Sequence, residues 1–324
     1  MLICRTPLRV SLFGGGSDFP NFFAKHTGAV LSFTLNKYIY TSIHPLIESQ
    51  NILLKYSKNE FVKSCNDIEH PLFRAVISSY KMSGIDIAVS SDIAAGTGLG
   101  SSSAFTVSTI HLIREYLNLG YTKKSLAQEA CDIELTKLKE PIGIQDQYAS
   151  AFGGLNLMEF DKSMGVDVIP LNLTNQQIRT FKQNAILIRV GGIRSAGKIL
   201  EVQSRFMNTS QKEAILIKMA EQAREAANRI HEGAEYLGTT LRQAWEYKKK
   251  LSPLVSNQEI DDLYEYLFRL GIYGGKLLGA GGSGYLLVFG SENAIHRIRH
   301  DEKLSTLDVG FDTDGSKVIY RSEF

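Results

Sequence analysis

The sequence predicts an α+β fold in two domains, and three observations carry that expectation. Strand-like and helix-like segments come in runs rather than in strict βαβ alternation. Two glycine-rich turns, "GTGLGSSSA" and "GAGGSG", each adjoin a regular element in a different half of the chain. The polar stretch "TNQQIRTFKQN" at 174–184 reads as a boundary, giving domains 1–175 and 176–324. With 324 residues, 44% of them hydrophobic and 22% charged, the chain is large and apolar enough to bury two ordinary cores.

Each element has its own signal. "PLRVSLFGGG" reads as a buried strand running into a flexible turn. "AVLSFTLNKYIYTSIHPL" and "NILLKYS" carry the β-branched and aromatic residues of strands. "HPLFRAVISSYKMSG" predicts a helix and "IDIAVSSDIA" another strand. After the first glycine turn, Val107, Ile110, Leu112, Ile113 and Leu117 recur near helical spacing, and "KKSLAQEACDIELTKLKE" predicts a second helix. "GGLNLMEF" and "VDVIPLNL" read as strands, as does "AILIRV" beyond the boundary. "QKEAILIKMAEQAREAANRIHEGAEYLG" predicts one long amphipathic helix, with Ile215, Met219, Ala223, Ala226 and Ile230 on its apolar face. Two shorter helices, the glycine turn joined to the strand "GYLLVFG", and a last strand "SKVIYR" complete the chain.

A formal net charge of +2, with no long block of one sign, argues against a nucleic acid or an anionic membrane as partner. Cys4, Cys65 and Cys131 are odd in number, far apart and without metal spacing, which suits a reducing compartment. Arg5, Pro7 and Arg9 interrupt any apolar leader, and no apolar run approaches the roughly 18 residues of a membrane span. The expectation is a cytoplasmic protein of open oligomeric state.

The central turn offers chemistry. Gly96, Gly98 and Gly100 let the backbone approach a ligand, and the helix that follows presents free N–H groups to an anion. Their G-x-G-x-G spacing matches neither the dinucleotide fingerprint nor the G-x-x-x-x-G-K-[ST] loop. A plain turn needs one capping hydroxyl, Ser101, yet three follow in succession. One hydroxyl to cap and one to bind a metal accounts better for them, so we expect phosphate binding here. A near-match, "GIRSAGK" at 192–198, lacks the hydroxyl after Lys198, so its spacing is coincidental; Arg194 and Lys198 remain available to an anionic substrate group or to solvent.

Three carboxylates occupy unusual positions. Glu134 shares a helical face with Ala127, Cys131 and Leu138; it is either a metal ligand or a glutamate reaching water at the stripe's edge, and spacing leaves both open. Asp146 is the only charge between Glu140 and Glu159, as a catalytic base, a metal ligand or a helix cap would be. Asp18 is the only charge between Arg9 and Lys25; beside Gly15, Gly16 and Ser17 it suits recognition of a polyol, or simply a tight turn. The seven histidines show no ligand spacing, and Trp245 reads as packing.

Together, "PLRVSLFGGGSD", "GTGLGSSSA" and "GAGGSGYLLVF" resemble the three ordered motifs of the GHMP small-molecule kinases, from residue 7 to residue 289. Within that superfamily, "PLRVSLFGGGSDFP", "IQDQYASAFGGLNLMEF" and "GIRSAGKIL" are most similar to the heptose 7-phosphate 1-kinases, relatives of bacterial fucokinases. The resemblance implies a two-domain fold with the active site in the cleft between domains. It implies that Gly96, Gly98, Leu99, Gly100, Ser101, Ser102 and Ser103 hold the phosphates of ATP, and that Ser102 and Glu134 ligate Mg²⁺. Asp146 matches the catalytic aspartate, and Arg9 the arginine that lies beside it and keeps it ionised. Asp18 matches a sugar-hydroxyl ligand, and Gly281 and Gly282 belong to the third motif, against nucleotide and substrate. Gly15 stands where galactokinases carry an acidic residue, which argues against galactose recognition of that kind.

The implied reaction is ATP-dependent phosphorylation of the anomeric hydroxyl of a sugar phosphate, most similar to D-glycero-D-manno-heptose 7-phosphate giving the 1,7-bisphosphate. Arg194, Lys198 or Lys37 could receive the 7-phosphate. The alternatives are a fucose-type 1-kinase acting on an unphosphorylated sugar, and a catalytically silent sugar sensor. A sensor predicts loss of a metal or base residue, whereas Ser102, Glu134 and Asp146 are all present.

Overall fold

The first strand, β1 (Leu2–Phe13), is buried throughout its second half and organises the larger of two sheets. It pairs antiparallel with β2 (Gly28–Pro45), an 18-residue strand long enough to serve two neighbours. β5 (Ile85–Ser91) pairs with the second half of β2, and β6 (Leu155–Phe160) with its first half. β3 (Ile52–Lys55) and β4 (Asn59–Val62) extend the sheet beyond β5, and β7 (Val166–Pro170) extends it beyond β6. The computed structural model describes residues 1–47, 49–191 and 210–322.

The smaller sheet has the order β11 (Thr306–Asp308), β8 (Ala185–Val190), β10 (Gly284–Gly290) and β9 (Ile272–Leu277), all antiparallel. Its own core gathers Ile186, Ile188, Leu267, Leu286 and Val288 around the fully buried Trp245. The chain then crosses the expected 175/176 boundary again. β12 (Lys317–Arg321) returns to pair with β1, Leu2 opposite Arg321 and Arg5 opposite Lys317. That return satisfies backbone groups that β1 would otherwise present as a raw edge.

The helices cover these sheets. α1 (Pro20–Phe23) is a single turn, and α2 (Pro71–Ser79) buries Phe73, Val76 and Ile77. α3 (Ser101–Tyr116) packs across β1 and β2 and is buried along Ser103–Ile113. α4 (Lys123–Cys131) runs into a π-helical turn, Asp132–Lys137, in which Leu138 N–H bonds back to Ile133 at 3.0 Å. α5 (Gln145–Phe152) packs on α3 and α4.

The polar stretch at 174–184, read as a boundary, is itself a helix, α6 (Asn175–Asn184), started by a reciprocal capping box between Thr174 and Gln177. Two expectations are corrected. The long helix is two, Ser210–Asn228 and Ala234–Leu251, separated where Gly233 adopts φ +96°. Ser101 is not a cap: Gly100, at φ +72°, occupies that position, and Ser101 is the first helical residue. Among the described residues no helix is long and apolar enough to cross a membrane.

Candidate active site

A cavity of about 330 Å³ opens where the turn after β1, the start of α3, the start of α5 and the β9–β10 loop converge. Arg9 is its structural centre. The strand delivers Arg9 to the glycine turn, where its backbone N–H donates to Leu99 O at 3.0 Å. Its side chain is 5% exposed. Nε donates to Asp146 Oδ1 at 2.6 Å, Nη2 to Asp146 Oδ2 at 2.7 Å, and Nη1 to Gly98 O at 2.7 Å. One guanidinium therefore joins the carboxylate on α5 to the backbone of the glycine turn, through the planar fork that makes such pairs strong.

Backbone packing requires the turn's glycines. A Cβ on Gly98 would lie 2.6 Å from Leu278 O, and Gly98 holds φ +81°. A Cβ on Gly100 would meet Arg9 Cγ at 3.0 Å and Asp146 Oδ2 at 3.3 Å. With that space left open, the first turn of α3 presents Ser101, Ser102 and Ser103 to the cavity. The leading N–H groups of a helix have no intrahelical acceptor and carry its positive dipole end, so an anion is stabilised there.

Glu134 faces the same space from the π-helical turn and is 1% exposed. It accepts from Ser103 Oγ at 2.8 Å, from Thr106 Oγ1 at 2.6 Å, and from Gln147 Nε2. Burial, with a smaller contribution from the charge of Asp146, raises its pKa to about 7 despite those three neutral donors. Among the described residues no cation pairs with it.

Asp18 is buried on the opposite rim. Oδ1 accepts the Gly16 N–H at 2.8 Å and Oδ2 the Gln145 N–H at 3.2 Å, while its carbonyl accepts from Ile144. It thereby holds the start of α5, one residue before Asp146. Burial is the main cause that raises its pKa, and the charge of Asp146 adds to it. The Asp18 carboxylate packs so tightly on Gly143 that a Cβ there would lie 1.9 Å from Oδ2.

Comparison with known proteins identifies the family. The models for the GHMP kinases N terminal domain and the GHMP kinases C terminal match residues 54–154 and 219–301. The D-glycero-alpha-D-manno-heptose 7-phosphate kinase of Campylobacter jejuni is 31% identical over 306 residues, covering 88% of each chain. The chain belongs to the GHMP kinases. A galactokinase from Thermotoga petrophila is 26% identical over 331 residues, 92% of this chain and 91% of that one. A solved D-glycero-D-manno-heptose 1-phosphate kinase from Bacteroides thetaiotaomicron superposes with a TM-score of 0.80 over 100% of both chains at 22% identity, a likeness of fold.

GHMP kinases use ATP, typically with Mg²⁺, and the residues present fit both. The α3 N-terminus suits phosphates. Glu134 is a buried carboxylate with hydroxyl donors and no counter-charge, the hard-oxygen setting that suits Mg²⁺. Of the residues expected from sequence, Arg9, Gly15, Gly16, Asp18, Gly96, Gly98, Gly100, Ser101, Ser102, Ser103, Glu134, Asp146 and Gly281 line this GHMP kinase cavity.

Others do not. The Leu99 side chain is buried in the core, and only its carbonyl serves the site, through Arg9. Ser17 is fully buried and spends its hydroxyl on Gly14 O at 2.8 Å and on Ala29. The Gly282 N–H is turned to Val255 O at 2.9 Å, away from the cavity, and Lys37 does not line it. Of the three serines it is Ser103 whose hydroxyl bonds Glu134, while Ser102 is exposed at the cavity wall. Arg194 and Lys198 lie outside the described residues.

Sequence reasoning missed Lys248 and Lys276, two buried lysines in the cavity wall. Both left a signal. Lys276 is the only charge between Arg269 and Glu292, and Lys248 shares a helical face with Leu241, Ala244, Trp245 and Leu251.

Proposed function

We propose that this protein transfers the γ-phosphoryl group of ATP to the anomeric hydroxyl of a sugar phosphate, of the kind exemplified by D-glycero-D-manno-heptose 7-phosphate. The observation that carries this is the Arg9 fork, which sets the Asp146 carboxylate beside a glycine turn and helix N-terminus suited to phosphates. Asp146 would align the attacking hydroxyl and take its proton; its side chain is 23% exposed and so accessible from the cavity. Arg9 would keep that carboxylate oriented. Gly96, Gly98 and Gly100, with the leading amides of α3, would seat the triphosphate, and Asp18 would accept sugar hydroxyl protons. Ser102 and Glu134 would hold Mg²⁺, which supplies charge neutralisation at the transferring phosphoryl oxygens. In this reaction class such positioning and charge stabilisation supply most of the catalysis.

The heptose assignment draws on the Campylobacter jejuni relative and on the cationic wall described below. A panel of sugars, each offered with and without its terminal phosphate, tests it through ATP consumption and ³¹P NMR of the product. The expected result is a new phosphate on the anomeric carbon of the phosphorylated substrate. Faster turnover of the unphosphorylated sugar would identify a fucose-type 1-kinase instead.

A further inference from the structure

Lys248 and Lys276 are two buried lysines without a carboxylate partner among the described residues. Lys248 comes from the helix Ala234–Leu251 and Lys276 from β9; they are 8% and 4% exposed, and both line the cavity. Lys248 Nζ donates to Leu277 O at 2.9 Å and Gly279 O at 2.5 Å, and Lys276 Nζ to Leu12 O at 2.8 Å. Every hydrogen-bond acceptor is a neutral carbonyl, and the one cation–π neighbour among the described residues is the Trp245 ring, 6.0 Å from Lys248 Nζ. Among the described residues neither ammonium is paired with a carboxylate, and the third cation of this wall, Arg9, is already committed to Asp146 and Gly98. Isolated charges in such a place are costly. Burial, then the neighbouring cations, pushes Lys248 well below its ordinary pKa, and burial with Arg9 pushes Lys276 down to about 7.

A third donor lies beside them. Ser11 is two residues beyond Arg9 on β1, is 5% exposed, and its Oγ has no partner. It lines the cavity next to Gly15 and one residue before the carbonyl that Lys276 holds. The cavity is thus divided by chemistry. Asp18, Asp146 and the unpartnered Gln145 Oε1 accept protons, as hydroxyls require, while the Lys248 and Lys276 ammoniums only donate and the Ser11 hydroxyl is free to donate to an anion.

We propose that Lys248 and Lys276, with the Ser11 hydroxyl, form the seat for a phosphate monoester carried by the acceptor sugar. A phosphate monoester brings about −1.5 to −2 charges at neutral pH, the complement of two unpaired ammoniums. The assignment rests on the kinase reading above, and it takes the role that Lys37, Arg194 or Lys198 was expected to fill. The nucleotide's γ-phosphate shares this chemistry, so the test separates the two sources.

Calorimetry on the full-length protein would compare D-glycero-D-manno-heptose 7-phosphate with the unphosphorylated heptose, in wild type, Lys248→Met and Lys276→Met. Each substitution is expected to weaken the phosphate ester about 10- to 100-fold, as loss of a charge-assisted hydrogen bond does, and to leave the heptose little changed. Equal weakening of both sugars, or an unchanged preference, overturns the proposal. So does selective weakening of AMPPNP relative to ADP with the sugar preference intact, which would assign the lysines to the nucleotide. If a variant does not fold, reductive methylation of the wild-type protein, read by mass spectrometry, gives the answer. The 7-phosphate should protect Lys248 and Lys276 where saturating heptose does not; equal protection, or none, overturns the seat. A protein that shows this protection yet phosphorylates no sugar supports the seat and fails the kinase reading.

Discussion

Arg9 and Asp146, separated by 137 residues in the chain, meet through two parallel hydrogen bonds of 2.6 and 2.7 Å. Both carboxylate oxygens therefore accept from one guanidinium, and the carboxylate cannot rotate without breaking the fork. Asp146→Asn would aim an amide N–H₂ at that guanidinium while removing the proton acceptor. Turnover should fall about 10²- to 10⁴-fold, the usual loss of a general base, with nucleotide affinity nearly unchanged in calorimetry. Near-normal turnover would remove Asp146 from the role.

Glu134 holds a carboxylate in a setting with no counter-cation among the described residues. Glu134→Gln keeps the size and removes the charge that would hold Mg²⁺. The Mg²⁺ concentration for half-maximal rate should rise about 10- to 100-fold, by the scale seen for groups supporting a metal. ADP binding in EDTA should change little. An unaltered Mg²⁺ titration would show that the metal is held elsewhere.

Gly98 touches the third glycine loop through backbone alone. In Gly98→Ala the Cβ would press on Leu278 O, at a φ that costs an L-residue roughly 1–3 kcal/mol. Thermal melting should shift down, and ADP affinity should fall with it because the turn must move. Retention of both would mean that the turn tolerates displacement.

His111 sits inside α3, its Nδ1 within 2.7 Å of Ser316 Oγ and its ring 4.5 Å from that of Tyr121. Burial lowers its pKa from 6.5 to about 4. The unfolded chain therefore binds the proton more readily, and the stability linked to this group is full above pH 6.5 and lost as pH falls towards 4. Between pH 7 and pH 5 the wild type should lose about 2 kcal/mol that His111→Gln does not, read as the difference between their urea midpoints. Parallel acid limbs in the two proteins would contradict this.

The strands β1 to β3 and β5 to β8 and the glycine turns were legible because alternation, β-branching and glycine clustering are local signals, whereas the four-residue β4 carried too short a pattern. Asp146, Asp18 and Glu134 were legible because each is a charge out of keeping with its surroundings. Lys276 carried the same signal and was overlooked beside the glycine loop, and Lys248 was masked by the run of lysines after it. The helix α6 was not singled out as a helix within the boundary stretch because its polar composition outweighed its Thr174–Gln177 capping box.

By itself the sequence determined which residues are chemically exceptional: three glycine turns, isolated carboxylates and a row of serines, since rarity is a property of the local chain. Only the tertiary structure decided which of them face one another. It turned Ser17 and Gly282 inward, set Ser103 rather than Ser102 on Glu134, and returned β12 to β1. The reason is that direction within a turn and pairing across 137 residues depend on where other segments pack. Backbone groups compete for those contacts across the whole fold, and no local window contains the outcome.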